Sequence, residues 1–265
     1  MKKYVTILLL LAMTLTGCQQ EAPGQTTVPA ETVVLTEPET TEEAIQEFSE
    51  ETTLSTETSH SRFYIPGVDV EDVIRYFNEV CLDAEMINSG NPKVLQKWTT
   101  PIYYILNGDM TEEDLLVLSD FCSWLNTLEG FPGIFSTEDE LQANLRIHFC
   151  SEADMISILG NRFSGLDGAV TFWYSMDEIY DAIICYRTDL NQYLRNSVIL
   201  EEIYNGLGPV QDTDLRPDSI IYSGFSEPQK LTEMDALILE LLYHPQMTCG
   251  MDEQSCGDMI RQLYY

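Results

Sequence analysis

Histidine and basic residues are scarce in this chain of 265 residues, which has 3 His and 13 Lys or Arg against 44 Asp or Glu. The formal charge of −31 excludes binding to nucleic acid or to an anionic bilayer by charge alone. No G-x-S-x-G elbow, phosphate-binding loop or dinucleotide fingerprint occurs in the sequence. The sequence therefore gives no support for a serine hydrolase or a nucleotide-binding protein.

Long apolar runs are also absent except at the N-terminus, where an apolar run from Val5 to Thr14 follows Lys2 and Lys3. That run is too short to span a bilayer. The sequence L-T-G-C ending at Cys18 then matches the bacterial lipobox, in which cleavage leaves a lipidated cysteine as the new N-terminus. The alternative is an ordinary signal peptide with a chance cysteine. Residues 1–18 are predicted to be a lipoprotein signal peptide, with the chain anchored to the membrane through Cys18.

Basic residues are missing altogether from the next segment, which has ten Glu and ten Thr between Gln19 and Ser61. Such a segment has too few bulky apolar residues to offset the entropy lost on ordering, and its charges repel one another. Residues 19–62 are therefore predicted to be a disordered tether. Residues 63–265 are long enough for one domain with a sizeable core.

The cysteines lack C-x-x-C spacing, so a zinc cluster is not predicted. An even number in an exported domain is typical of disulfides, whereas buried free thiols are the alternative. The pair closest in sequence is Cys249 with Cys256, and the predicted elements also favour helical Cys81 with Cys122 and strand Cys150 with Cys185. The sequence leaves the pairing open.

Apolar periodicity predicts an alternating order of helices and strands. A helix from Val68 is followed by a strand near Ile102 and by a helix capped by Thr111 and Asp114. A strand, a short helix and two strands come next, then a long helix over 191–207 and a mostly helical end. This order indicates the α+β class with a small mixed sheet.

The long helix carries the segment E-E-I-Y-N-G-L-G-P-V-Q-D, which begins at Glu201 and resembles the zinc helix of metzincin peptidases, H-E-x-x-H-x-x-G-x-x-H. Glu201, Asn205 and Gln211 stand where that motif has its histidine ligands. Glu202 stands at the position of the general base, and Gly208 at that of the glycine. The resemblance implies a zincin-like domain that keeps the peptidase frame without the zinc ligands.

Segments further along the chain resemble the same fold. The sequence S-I-I-Y, which ends at Tyr222, stands at the Met-turn, with Ile221 in place of the methionine. A helix is then predicted to begin at L-T-E-M-D and to end at the L-Y pair, whose second residue is Tyr243. The chain also resembles a bacterial exported-protein family of uncharacterised function, through this L-Y, the H-P that follows it and the earlier K-W pair. Tyr222 and Tyr243 are candidate aromatic residues of a cleft, or else core residues.

The donors at this motif are poorly suited to zinc. A catalytic zinc site needs three protein ligands, usually with imidazole among them, and an open position for water. Asn205 and Gln211 offer amides instead, and together with Glu201 and Asp212 they suit, weakly, a hard cation such as Ca²⁺. Without a metal-bound water, Glu202 has no evident role as a base. No metal or cofactor is therefore predicted, with a weakly bound divalent cation as the alternative.

An ordinary helix is the other interpretation of this segment. Gly208 then ends the helix in a left-handed conformation, and Pro209 prevents the helix from resuming. Glu201 and Glu202 would in that case be solvated.

We expect a lipid-anchored protein on the outer face of the bacterial cytoplasmic membrane, with a catalytically inactive domain that binds a peptide, a protein or a wall component. Its candidate binding residues are Glu201, Asn205, Gln211, Asp212 and Tyr222. One alternative is a metal-dependent peptidase with atypical ligands. Another is a small-solute-binding lipoprotein, which would need two lobes and a hinge.

The lipobox generates a direct prediction. Cys18→Ser removes the acylated thiol, so the chain should lose incorporation of labelled fatty acid and leave the membrane fraction. Cys249→Ser is the matched control and should keep both the label and the membrane association. Membrane retention of the Cys18→Ser chain would contradict the predicted anchor.

Overall fold

The structure, a computed structural model, describes residues 61–82, 93–224 and 227–265. The predicted signal peptide with Cys18, and the predicted tether up to residue 60, lie outside these residues. Among the described residues, none of the helices has the length and apolar composition of a membrane span. The helices are α1 (Val70–Leu82), α2 (Glu112–Leu125), α3 (Glu152–Leu159), α4 (Gln192–Gly206), α5 (Glu233–Tyr243) and α6 (Glu253–Tyr264). The strands are β1 (Lys97–Trp98), β2 (Ile102–Gly108), β3 (Ile134–Ser136), β4 (Leu145–Cys150), β5 (Gly168–Ser175) and β6 (Glu178–Arg187).

A single mixed sheet organises these elements. β3, β2, β4 and β6 are parallel neighbours in that order. β5 runs antiparallel along the other side of β6, and short β1 pairs with the start of β6. The predicted α+β class is confirmed, and four of the five strand pairings are parallel.

The two faces of the sheet contribute to cores of different size. On one face, Ile147, Phe149 and Ile184 belong to the main core, which also holds the buried side chains of α4 and α5. On the other face, Met155 and Phe163 pack with strand residues in a smaller cluster. Alternate residues of a strand point to opposite faces, which explains the strict alternation of buried and half-buried residues along β4.

The helices α2 and α5 begin with the same T-x-x-D capping box. The hydroxyls of Thr111 and Thr232 accept hydrogen bonds from the backbone N–H groups of Asp114 and Asp235, and each carboxylate accepts one from the threonine N–H. The prediction of a cap at Thr111 and Asp114 is confirmed. Both aspartates are fully buried, so each must have further partners in the interior.

Asp114 joins the start of α2 to the start of α4. Its carboxylate forms a buried ion pair with Arg195 and accepts a hydrogen bond of 2.7 Å from Gln192 Nε2. The Arg195 guanidinium also donates to the carbonyl of Thr188, 3.2 Å away. A buried charge is tolerated only when it is paired and hydrogen-bonded, and this pair meets both conditions.

Asp235, at the other capping box, also joins its own helix to distant parts of the chain. Its carboxylate accepts hydrogen bonds from Ser219 Oγ at 2.7 Å, from the backbone N–H of Ile220 at 3.2 Å and from the Tyr76 hydroxyl at 3.2 Å. Burial raises the pKa of Tyr76, and the Asp235 charge beside it acts in the same direction. This one side chain therefore holds α1, the S-I-I-Y segment and α5 together.

Replacing Asp235 should show how much the fold depends on it. Asp235→Ala leaves the Ser219, Tyr76 and Ile220 donors buried without their acceptor and should lower the free energy of unfolding by about 3 kcal/mol. The midpoint of urea unfolding gives the measurement. Glu233→Ala, an exposed position in the same helical turn, should change stability by less than about 1 kcal/mol. Equal effects of the two substitutions would contradict the assigned role.

Candidate functional site

The motif-bearing helix α4 lies entirely in the interior over its second half. Asn191 caps its start, and every residue from Ser197 to Gly206 is buried. Glu201 is 2% exposed and Glu202 is 3% exposed. The alternative in which these glutamates are solvated is therefore wrong, because α4 packs against α2, β5 and β6.

The carbonyl groups at the C-terminal end of α4 accept hydrogen bonds from side chains of other elements. Trp98 Nε1 donates to the carbonyl of Gly206 at 2.9 Å, and the Tyr243 hydroxyl donates to the carbonyl of Leu207 at 2.7 Å. The last carbonyls of a helix have no partner within it, so a buried helix end needs such donors. Tyr243, a candidate cleft aromatic, is a fully buried core residue instead.

Lys97, next to Trp98, supplies hydrogen bonds to carbonyl groups at and after the end of α5. Its ammonium group donates to the carbonyls of Leu242 at 2.8 Å and Met247 at 2.5 Å. Burial lowers the pKa of Lys97 to about 8. The K-W pair, which carries part of the resemblance, thus supplies hydrogen-bond donors at the ends of α4 and α5.

Gly208 ends α4 as predicted. Its φ of +136° lies in the region that side-chain-bearing residues avoid, and a Cβ there would lie 2.8 Å from the carbonyl oxygen of Gln96. Both constraints select glycine at this position.

Glu202, at the position of the general base, lies against the edge strand β5. A Cβ on Gly168 would lie 2.8 Å from Glu202 Cγ and 2.9 Å from Glu202 Oε1. Only a glycine in β5 leaves room for this carboxylate between helix and sheet. The site therefore places a carboxylate in the interior, at the edge of the sheet.

The segment after α4 is fastened to α1. The backbone N–H of Gln211 donates to the carbonyl of Val80 at 3.3 Å, and Thr213 Oγ1 donates to Glu79 Oε1 at 2.5 Å. Gln211 and Asp212 are half-buried there. Within the described part of the chain, the side-chain oxygens Asn205 Oδ1 and Gln211 Oε1 have no hydrogen-bond partner.

Tyr222 is half-buried and lies in a loop beside the same segment. Thr213 forms an isolated β-bridge with Tyr222, and the backbone N–H of Thr213 donates to the carbonyl of Ile221 at 2.9 Å. The structure therefore places four predicted binding residues, Glu201, Asn205, Gln211 and Asp212, on α4 and the segment after it, and Tyr222 on the neighbouring loop.

No group of three or more His, Cys, Asp or Glu residues that could hold a metal occurs among the residues that the structure describes. His148 lies on β4, and its half-buried side chain points away from the main core, which faces α4. His244 follows α5, where its ring contacts Phe63 edge-on at 5.6 Å between centroids. Burial lowers the pKa of both imidazoles.

The six cysteines of the described domain are free thiols. Cys249 and Cys256, the pair closest in sequence, donate separately to the carbonyls of Lys97 and Met251. Burial raises the pKa of Cys122 and of Cys256 to about 12. Such thiols stay protonated at neutral pH and are poor nucleophiles.

The contact between Glu202 and β5 generates a stability prediction. Gly168→Ala adds a Cβ that would lie 2.5 Å from Val198 Cγ1 and 2.8 Å from Glu202 Cγ, so these side chains or α4 itself must shift. The free energy of unfolding should fall by about 2 kcal/mol in urea titrations.

Gly257 provides the matched control. A Cβ there would meet no atom closer than Ile74 Cγ2 at 3.3 Å, and alanine is the better helix former inside α6. Gly257→Ala should change stability by less than about 1 kcal/mol. A Gly168→Ala chain as stable as the parent would show that the described approach of Glu202 to β5 is incorrect.

The family described as "Protein of unknown function (DUF2927)" matches the chain over residues 70–262. The match begins at the first residue of α1 and ends within α6, so it includes every strand of the sheet and the whole of α4. No curated protein matches the chain.

Proposed function

We propose that this chain, which belongs to the DUF2927 family of proteins of unknown function, is a catalytically inactive relative of metallopeptidases that binds a peptide, a protein or a wall component. In this proposal lipid on Cys18 holds it at the outer face of the bacterial cytoplasmic membrane. The domain is zincin-like, and its role is non-enzymatic.

The burial of the motif on α4 is the observation that carries this proposal. A catalytic metal site keeps one position open to water and substrate. Glu201, Glu202 and Asn205 are each at most 3% exposed, so these side chains serve the interior of the domain. Glu202 in particular lies between α4 and Gly168 of β5.

The zincin-like part of the proposal is supported by the arrangement of α4. A long helix that carries the motif frame packs against β5 and β6 of a mixed sheet. A structure without such a helix at this position would have removed the basis of the resemblance. The helix that the resemblance implies after L-T-E-M-D is present as α5, which is capped by Thr232 and ends at Tyr243.

The two alternatives have weaker support. A peptidase that used Glu201 and Asp212 would need a metal and its water at a glutamate that is 2% exposed. A small-solute receptor would need two lobes, whereas the described residues fall in one compact unit around one sheet.

Metal analysis tests the proposal. The full chain with Cys18→Ser, purified without chelator, should contain less than about 0.1 zinc per chain by elemental mass spectrometry and should not cleave casein. Stoichiometric zinc that Glu201→Ala abolishes, together with peptidase activity that Glu202→Gln abolishes, would overturn it.

A variant with the three histidines restored tests whether the chain has a zincin-like fold that lacks only its zinc ligands, or has no such fold. Glu201→His, Asn205→His and Gln211→His together recreate the three ligands if the zincin frame is present, so this chain should bind about one zinc. Circular dichroism checks that the variant is folded. A folded variant that binds no zinc would contradict the zincin-like assignment, whatever the parent chain binds.

A further inference from the structure

One side of α2 forms a groove that the core does not fill. Two adjoining cavities of about 790 Å³ and 380 Å³ run along this helix and share Val117 and Asp120 as lining residues. The lining begins at the N-cap Thr111 and reaches Trp124, near the end of α2. At 1.5 Å per residue this stretch of helix is about 20 Å long.

The floor of the smaller cavity is apolar and aromatic. The rings of Phe121 and Trp124 stack with 5.9 Å between their centroids. Leu200 of α4, residues 229–231 and Ala236 of α5 complete the lining. The apolar lining residues are Val117, Phe121, Trp124, Leu200, Leu231 and Ala236.

α2 also exposes two leucines on the side away from the core. Leu118 is buried, whereas Leu115 is 39% exposed and Leu116, a groove residue, is 59% exposed. The run L-L-V-L gives α2 apolar residues on its solvent side as well as on its core side. Leu116, Val117 and Trp124 are thus apolar residues of α2 that line the groove and keep part of their surface exposed.

Acidic side chains border the same groove. Glu112, Glu113 and Asp120 line the larger cavity, and within the described residues none of them forms an ion pair, while Glu113 Oε1 accepts a hydrogen bond of 2.7 Å from Asn196 Nδ2. Lys230 is the one cationic residue that lines either cavity. The groove thus offers an apolar floor with a mainly negative border.

Charge selects the kind of partner. A second copy of this chain carries a formal charge of −31, and the segment between Gln19 and Ser61 has no Lys or Arg, so both would be repelled by the border. A partner with basic residues around bulky apolar side chains would instead match the border and the floor together.

We propose that the groove along α2 binds a cationic amphipathic peptide segment, with Lys or Arg against Glu112, Glu113 and Asp120 and an apolar side chain against Trp124. The length of the groove fits a helical segment of about 12 residues. This inference rests on the proposed binding function and specifies its partner.

The test uses the full chain with Cys18→Ser and synthetic peptides of about 12 residues. The probe consists of Lys and Leu in an amphipathic helical pattern. One control peptide has Glu in place of Lys, and another has Ser in place of Leu. Isothermal titration calorimetry should detect binding of the Lys/Leu peptide alone, and the fluorescence change on binding should be lost in Trp124→Phe.

Charge reversal locates the site. The double variant Glu112→Lys with Asp120→Lys should weaken binding of the Lys/Leu peptide at least about tenfold. Glu138→Lys with Glu140→Lys makes the same change in net charge at exposed positions outside the groove and should leave the affinity within about twofold.

Three results would overturn the proposal. These are no binding of the Lys/Leu peptide, equal binding of the Ser-containing peptide, and equal weakening by the two double variants. Each of them leaves the metal and peptidase measurements untouched, so failure of the groove is distinguishable from failure of the proposed function.

Discussion

The burial of α4 constrains most of the structure around it. The second half of α4 is surrounded by protein, so water cannot reach its last carbonyl groups and other elements must supply the donors. Trp98 and Tyr243 supply them at the C-terminal end, while Asp114 receives the Arg195 side chain near the N-terminal end. β1 and α5 therefore provide the hydrogen-bond donors at the end of α4, and α2 provides the charge that pairs with its buried arginine.

The same constraint explains the short sequence features that resemble the exported family. The tryptophan of K-W and the tyrosine of L-Y are the donors at the end of α4. The lysine of K-W and the aspartate of L-T-E-M-D are at the two ends of α5. These residues are accounted for by hydrogen bonding in the interior, without reference to a ligand. Function has to be sought on surfaces that such bonding does not explain.

Much of this fold could be predicted from the sequence, because its signals are local. The long helix, its end at Gly208 and the capping box at Thr111 follow from periodicity and from the chemistry of helix ends. Strand β3 was missed, since it has three residues, two of them exposed, and depends on pairing with β2. Local pattern does not show such a strand.

The environment of the candidate site was harder to predict, because it depends on contacts between distant residues. Adjacent glutamates in a helix normally indicate solvent, yet Glu201 and Glu202 lie in the interior, where Gly168 makes the room for Glu202. The groove on α2 was missed for the opposite reason. A run such as L-L-V-L indicates a core, and only the packed structure shows that Leu116 lies outside it.

The buried aspartates of the two capping boxes have a consequence for how the chain folds. Each one serves the first turn of its own helix and a distant partner with the same carboxylate. Helix initiation and long-range docking are therefore not separate events at Asp114 and Asp235. In an isolated fragment that contains α2 or α5, the aspartate would be exposed to water. Its carboxylate would lose three of the four hydrogen bonds that it accepts in the domain. Folding of this domain should accordingly be highly cooperative, with few partly folded states at equilibrium.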